Sequence, residues 1–246
     1  MPPLDSAALL EVWEQGALQS PVERALKLLA VAWPEKSAAD WGRVSIGERD
    51  GRLLDLQEEW FGAELEGSAV CPQCSERLQV TFRTADIRTP SPALPPGGSL
   101  RVAASGYELA CRLPTSSDLL AVARIPGTAG SEALLKRCIE EARFQGASVV
   151  ADTVSLPEEV VQAASAAMQR TDQQANVEIA LVCAACAHAW SQPFDIISYL
   201  WSEIEDWAQR LLLEIHVLAS AYGWSEKEIV ALTASRRRMY WDLVGA

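Results

Sequence analysis

The sequence predicts an α+β fold: a zinc-ribbon-like β module split by a helical insertion, with N-terminal helices and a long C-terminal helix ending in a short helical hairpin. Three observations carry this expectation. Two CxxC pairs, Cys71-Pro-Gln-Cys74 and Cys183-Ala-Ala-Cys186, each adjoin a strand-like segment. Strong capping signals open helices ahead of the first pair. Beyond the second pair an apolar residue recurs every three or four positions for some thirty residues. These features divide the chain into an N-terminal helical region (1–62), a first ribbon half with a Pro/Gly loop (63–115), a helical insertion (116–175), a second ribbon half (176–192) and a C-terminal helical region (193–246).

In the first region, Ser20-Pro21-Val22-Glu23 is a capping box with proline at the first helical position, and Pro34 marks where that helix stops. A second box, Ser45-Ile46-Gly47-Glu48, opens a helix bearing Leu53, Leu54, Leu56, Trp60 and Phe61. Gly62 is placed to end it. Leu78 to Phe82 alternates as a half-buried strand does, and Gly106 to Leu113 is a second strand candidate. Four prolines and two glycines make Thr89 to Ser99 a surface loop or linker. Pro114 to Asp118 reads as a turn into a short helix. Further helices are expected over Ser131 to Phe144 and after Pro157-Glu158-Glu159, and a strand over Asn176 to Val182.

The C-terminal stripe comprises Phe194, Ile197, Trp201, Ile204, Ala208, Leu211, Ile215, Leu218 and Tyr222, enough for a helix of about 40 Å. Gly223 breaks it. Ser225 and Glu228 form a third capping box, with Trp224 and Ile229 as a hydrophobic staple, and Ser235 stands ready to cap a last helix to Val244.

Composition narrows the function. A formal net charge of −12, with acids spread along the chain, argues against phosphate-driven nucleic-acid binding and against an anionic membrane surface. Charge interrupts every apolar run before about 18 residues, so no membrane insertion is expected. The start, MPPLDSAALLEVWEQG, lacks a basic n-region, which places synthesis in the cytoplasm. Six cysteines in that compartment suggest thiols or metal ligands rather than disulfides.

Each CxxC lets two thiolates converge on one ion from a tight knuckle, and two knuckles complete a tetrahedral four-cysteine shell. Cys71, Cys74, Cys183 and Cys186 are therefore the expected ligands of one structural Zn²⁺. The long separation of the pairs requires an insertion between ribbon halves; the alternatives are two separate sites, a redox dithiol or plain buried thiols. Cys111 and Cys138 read as small buried hydrophobes. His188 could replace a thiolate or support one, and His216 reads as a packed or exposed histidine. No phosphate loop, GxSxG elbow or HExxH is present, and two histidines are few for acid–base schemes. No catalytic residue is assigned, and no enzyme or small-molecule substrate is expected.

Nine tryptophans read mainly as core, with some as interface anchors, since aromatics are enriched at interfaces. Arg236-Arg237-Arg238 is the one basic cluster. It could meet an acidic partner or, in an alternative reading, make the protein a zinc-ribbon adaptor or regulator touching nucleic acid through its last helix.

Several stretches resemble one family. They are Ser45-Ile-Gly-Glu-Arg-Asp-Gly-Arg-Leu-Leu54 with Trp60-Phe61-Gly62, the knuckle Cys71-Pro-Gln-Cys74, and Tyr107-Glu-Leu-Ala-Cys-Arg-Leu-Pro-Thr-Ser-Ser-Asp-Leu-Leu120. Then come Cys183-Ala-Ala-Cys186-Ala-His-Ala-Trp190 with Pro193-Phe-Asp-Ile196, the run Glu214 to Ile229, and Arg236-Arg-Arg-Met-Tyr240. Together, from about residue 41 onward, they resemble the baseplate hub and hub-assembly proteins of contractile-tailed phages and of phage-tail-like contractile injection systems. Such proteins often carry glycine after the second cysteine of each knuckle, where Ser75 and Ala187 stand here. The resemblance implies a structural or assembly role in a tail or injection-system particle, in contact with hub or spike proteins. Trp201, Trp207, Trp224, Arg236, Arg237 and Arg238 are then the candidate partner contacts.

Overall fold

Helices begin behind the predicted caps Ser20, Ser45 and Ser225. A computed structural model describes residues 6–90, 98–150 and 156–245, which covers both knuckles; the predicted Pro/Gly loop falls largely outside the described residues. The chain opens with α1 (Ser6–Gly16) and α2 (Pro21–Ala32). Next come α3 (Ala38–Trp41), α4 (Ile46–Trp60), the hairpin β1 (Glu64–Val70) and β2 (Arg77–Arg83), and α5 (Thr84–Ile87). Strands β3 (Leu100–Ala104) and β4 (Tyr107–Cys111) precede α6 (Ser116–Val122) and α7 (Gly127–Cys138). Then follow β5 (Ile139–Phe144), β6 (Ala147–Val149), α8 (Glu158–Thr171), a 3-10 turn at Gln173–Ala175, and the hairpin β7 (Glu178–Val182) and β8 (Ala189–Pro193). Helices α9 (Ile196–Tyr222), α10 (Glu226–Val230) and α11 (Ala234–Val244) finish a mixed α+β fold with small sheets.

Two compact units result. One joins Met1–Glu35 to Ile197–Ala246 and is helical; the other is Lys36–Ile196. In the helical unit α9 buries Ile197, Trp201, Ile204, Ala208, Leu211, Ile215 and Leu218 of the predicted stripe, and Leu200 besides, with Leu10 of α1 and Ile229 and Val230 of α10; Tyr222 is 38% exposed and Phe194 precedes the helix. Gly16 lies so close beneath Trp201 that a Cβ would fall 2.2 Å from the indole. Arg24 covers the same ring at 4.5 Å from its centroid. Gly223 takes φ +68° and stops α9, and the Ser225/Glu228 box forms as expected. The last helix is capped by Thr233, whose hydroxyl accepts the Arg236 N–H, rather than by Ser235.

The other unit holds a four-stranded antiparallel sheet, β3-β4-β5-β6, over which α8 packs. Val102, Leu109, Cys111, Ala142, Val160 and Ala164 form its core. Here one expectation fails: the helix predicted over Ser131 to Phe144 ends at Cys138, and Ile139–Phe144 is a strand. Pairing with β4 and burial of Ala142 override the helical leaning of Glu140-Glu141-Ala142-Arg143. The insertion is therefore sheet as well as helix.

Long-range polar contacts lock this unit. Asp172, after α8, accepts the Gly47 N–H at 3.0 Å and so pairs a buried backbone donor at the start of α4. Ser45 caps the same end by accepting the Glu48 N–H at 3.2 Å, while its backbone bridges to Thr115. Gln174 accepts from the Thr89 N–H at 2.8 Å and donates to the Ile87 carbonyl at 3.3 Å. Asp118 receives Arg112 at 2.6 and 2.9 Å and Arg137 at 3.1 Å. Burial opposes ionisation of Asp118, but Arg112 and Thr115 outweigh it and bring its pKa to about 2. At Asp50 burial prevails over the charge of Arg49, and its pKa is raised.

Gly47 has no room to be anything else. A Cβ there would lie 1.8 Å from Asp172 Oδ1, and Asp172 is buried and hydrogen-bonded in place. Gly47→Ala is expected to lower the unfolding free energy by about 2–3 kcal/mol, read from the urea midpoint, through overpacking and loss of the Asp172 contact. Adding Asp172→Ala should then cost clearly less than it does in the wild-type background, because the two residues share one interaction.

Candidate metal centre

The two CxxC motifs are the connecting turns of two antiparallel hairpins. In the first, β1 and β2 pair from Glu64↔Arg83 to Val70↔Arg77; in the second, β7 and β8 pair from Glu178↔Pro193 to Val182↔Ala189. The turns repeat bond for bond. The Cys71 N–H donates to the Glu76 carbonyl at 2.9 Å and the Ser75 N–H to the Cys71 carbonyl at 2.9 Å. In the second turn the Cys183 N–H donates to the His188 carbonyl at 2.8 Å and the Ala187 N–H to the Cys183 carbonyl at 2.9 Å. The hairpins meet at two levels: near their bases the rings of Phe82 and Phe194 pack edge to face, centroids 5.4 Å apart, and at their tips the four sulfurs converge.

Cys71 Sγ lies 3.7 Å from Cys186 Sγ, and Cys74 Sγ lies 3.6 Å from Cys183 Sγ. All four lie within 4.8 Å of one another. A disulfide would need about 2.05 Å, so these are not bonded pairs. Four thiolates held tetrahedrally about 2.3 Å from one ion stand about 3.8 Å apart, close to the two shortest cross-knuckle separations. The four cysteines can thus hold a metal ion. Cys71 and Cys183 are buried and Cys74 and Cys186 exposed, so each knuckle contributes one inner and one outer sulfur.

Backbone amides prepare the sulfurs for charge. Burial opposes ionisation of Cys71, but N–H donors of Cys74 and Gln73 and the thiols of Cys74 and Cys186 reverse this and bring its pKa to about 7. At Cys74 the Glu76 N–H favours the thiolate, yet the sulfur of Cys186, burial, and the sulfurs of Cys183 and Cys71 carry the pKa up to about 12. Cys186 is raised as well: the His188 N–H favours its thiolate, and burial with the sulfurs of Cys183 and Cys71 outweighs that donor. One thiolate forms readily and makes the next costly. The four thiolates together would be stabilised by a bound divalent cation, whose charge would offset their mutual repulsion as the remaining protons leave.

No family model, curated protein or solved structure matches the chain.

The other singled-out residues are spread more widely. His188 supports a knuckle through its backbone while its ring stacks on Trp190, centroids 5.9 Å apart. His216 is exposed on α9. Cys111 and Cys138 are fully buried thiols, and burial pushes both up to about 11. Of the six candidate partner contacts, Trp201 is buried within the helical unit, and Arg237 is held there by Glu214 at 2.9 Å and the Leu232 carbonyl at 2.8 Å. Trp207 and Trp224 are half-buried, with Trp224 stacked on Tyr222 at 4.7 Å and edge-on to Tyr240 at 4.8 Å. Arg236 and Arg238 are exposed, and Arg238 pairs with Asp242 at 3.4 Å. The period-3.6 stripe could not separate outward from inward arginines on a helix whose own cap was misplaced by two residues.

Ser75 and Ala187, which occupy the position where glycine was expected, take φ of 62° and 58°. The turn is kept and the side chain accepts left-handed backbone, at a cost of roughly 1–2 kcal/mol offset in part by lower chain entropy when unfolded. Ser75→Gly and Ala187→Gly should each stabilise the metal-loaded protein by about 0.5–1 kcal/mol in chemical denaturation. Valine at either position should destabilise it.

Proposed function

We propose that the four thiolates hold one structural Zn²⁺, that the two hairpins form a zinc-ribbon-like module around it, and that the protein is a structural or assembly component of a contractile tail or injection-system baseplate. The observation behind the metal reading is the meeting of four sulfurs, from cysteines 109 and 115 residues apart, within 4.8 Å of one another. An all-thiolate set selects a soft or borderline divalent ion, and zinc is the common cytosolic choice. A filled four-cysteine shell keeps no position for water or substrate, so the ion serves the fold rather than a reaction. When bound, it neutralises the thiolates; the knuckle amides orient them and Phe82 and Phe194 keep the hairpin bases in register.

The baseplate reading rests on the resemblance of the segments named above. Helical surfaces of the Ile197–Ala246 part would bind hub or spike proteins. Trp207 and Trp224 remain the aromatic anchors there, and Arg236 and Arg238 are the outward cations. The adaptor alternative draws on the same helix, with two outward arginines in place of three. Among the described residues, no helix is long and apolar enough to cross a membrane.

Elemental analysis of purified protein should find one zinc per chain, lost in both Cys71→Ser and Cys183→Ser; metal surviving in either variant would separate the knuckles into different sites. For the role itself, the tagged protein should capture baseplate hub or spike proteins on co-expression with a contractile-tail cluster. Trp207→Ala with Trp224→Ala should weaken capture at least tenfold with zinc content unchanged. Capture of nucleic acid instead, abolished by Arg236→Glu with Arg238→Glu and by added salt, would favour the adaptor.

A further inference from the structure

The outer face of α11 and the groove between α1 and α10 are complementary. Along α11, Met239 is 62% and Leu243 67% exposed, one turn apart on the face turned away from buried Arg237. Arg236 flanks this apolar strip on one side, and the Arg238–Asp242 pair lies on the other. Among the described residues Arg236 has no carboxylate within ion-pair distance. A face that is apolar at its centre and cationic at its edge is unusual in a chain with a net charge of −12.

On the same helical unit, a groove of about 610 Å³ runs between α1 and α10. Leu10 and Val230 form its floor, and Glu11, Glu14 and Glu226 stand on its rim with Lys227. Among the described residues, none of these three glutamates has a cation within ion-pair distance. The groove thus lacks what α11 offers: an apolar ridge with a free guanidinium beside it.

We propose that this groove receives α11 of a second copy of the chain. Within one copy the contact is closed off, because α11 is tied to α9 through Arg237 and Glu214 and follows α10 after a short turn. Between two copies it can be made twice. Groove wall and ridge are consecutive in sequence, so a two-fold axis lets each α11 lie in the other copy's groove, an isologous and self-limiting contact. Met239 and Leu243 would cover Leu10 and Val230 across the interface, and Arg236 would reach Glu11 or Glu14. The aromatic cluster of Tyr222, Trp224 and Tyr240 is left for other partners.

Sedimentation velocity of the full zinc-loaded chain over a range of concentrations tests this. The wild type should move from monomer to dimer as concentration rises. Met239→Glu with Leu243→Glu should weaken the dimer at least tenfold. So should Glu11→Arg with Glu14→Arg, and so should Arg236→Glu; all five positions are exposed, and unchanged circular dichroism and zinc content report that folding is intact. The decisive step mixes the groove-reversed and helix-reversed variants, neither of which dimerises alone. In the mixture one contact has its native charges and the other has both reversed, so a one-to-one heterodimer should form. A wild type that stays monomeric at every concentration, dimerisation untouched by these changes, or a mixture that fails to recombine would each overturn the proposal. Because Arg236 also stands among the candidate hub contacts, hub capture is scored separately through Trp207→Ala with Trp224→Ala, positions outside this interface.

Discussion

The Lys36–Ile196 unit depends on one constraint: four sulfurs from knuckles more than a hundred residues apart must reach the same few ångströms. Neither hairpin can supply the site alone. A two-stranded hairpin is marginal in water, and each presents only two thiols at its tip. A metal bridging them closes a loop of about a hundred residues, and a cross-link of that span removes chain entropy worth about 4–5 kcal/mol from the unfolded state. The sequence that builds each knuckle is short, but its energetic reach covers everything between Cys74 and Cys183.

That intervening segment is not left slack. Its sheet buries Leu109 and Cys111 against α8, and the residues just after α8 turn back on α4 and α5 through Asp172 and Gln174. These buried hydrogen bonds cross some 85 to 125 positions of sequence. Each satisfies a backbone donor or acceptor that would otherwise be left unpaired inside the protein. The insertion is thereby fastened at its exit as well as at its cysteine end, which explains why Gly47 must lack a side chain: the carboxyl group that caps α4 comes from the far end of the insertion, and it needs the space.

How much of this was legible in the sequence follows from the range of each interaction. Capping boxes at Ser20 and Ser225, the stop at Gly62 and the stripe of α9 are local and were read directly, as was the grouping of four cysteines as a possible metal site. Strand β5 was missed because its pairing with β4 is a tertiary fact invisible in Glu140-Glu141-Ala142-Arg143, which by propensity prefers helix. Strands β1 and β8 gave little signal, since Gly67 and Ser68 dilute one and Gln192-Pro193 end the other. The Asp172–Gly47 contact could not be foreseen; only Gly47 inside a helix start hinted at a close approach. Burial of Arg237 likewise depends on Glu214, one helix away.

The chain's topology would extend the influence of a metal bound by the four cysteines beyond their own unit. The helical unit is assembled from two separate segments, Met1–Glu35 and Ile197–Ala246, with the entire cysteine-bearing unit between them. Packing α1 and α2 against α9 therefore requires closing a loop made of that unit. If it is unfolded, the closure entropy of a long flexible chain opposes assembly of the helices; if it is folded, the closing segment has one set of end positions and the cost falls. Metal binding that favours the folded state of one unit thus favours the other by linkage, without any contact between helices and sulfurs. A metal ion bound by the four cysteines at the tips of two small hairpins would in this way bias whether the helical unit assembles at all.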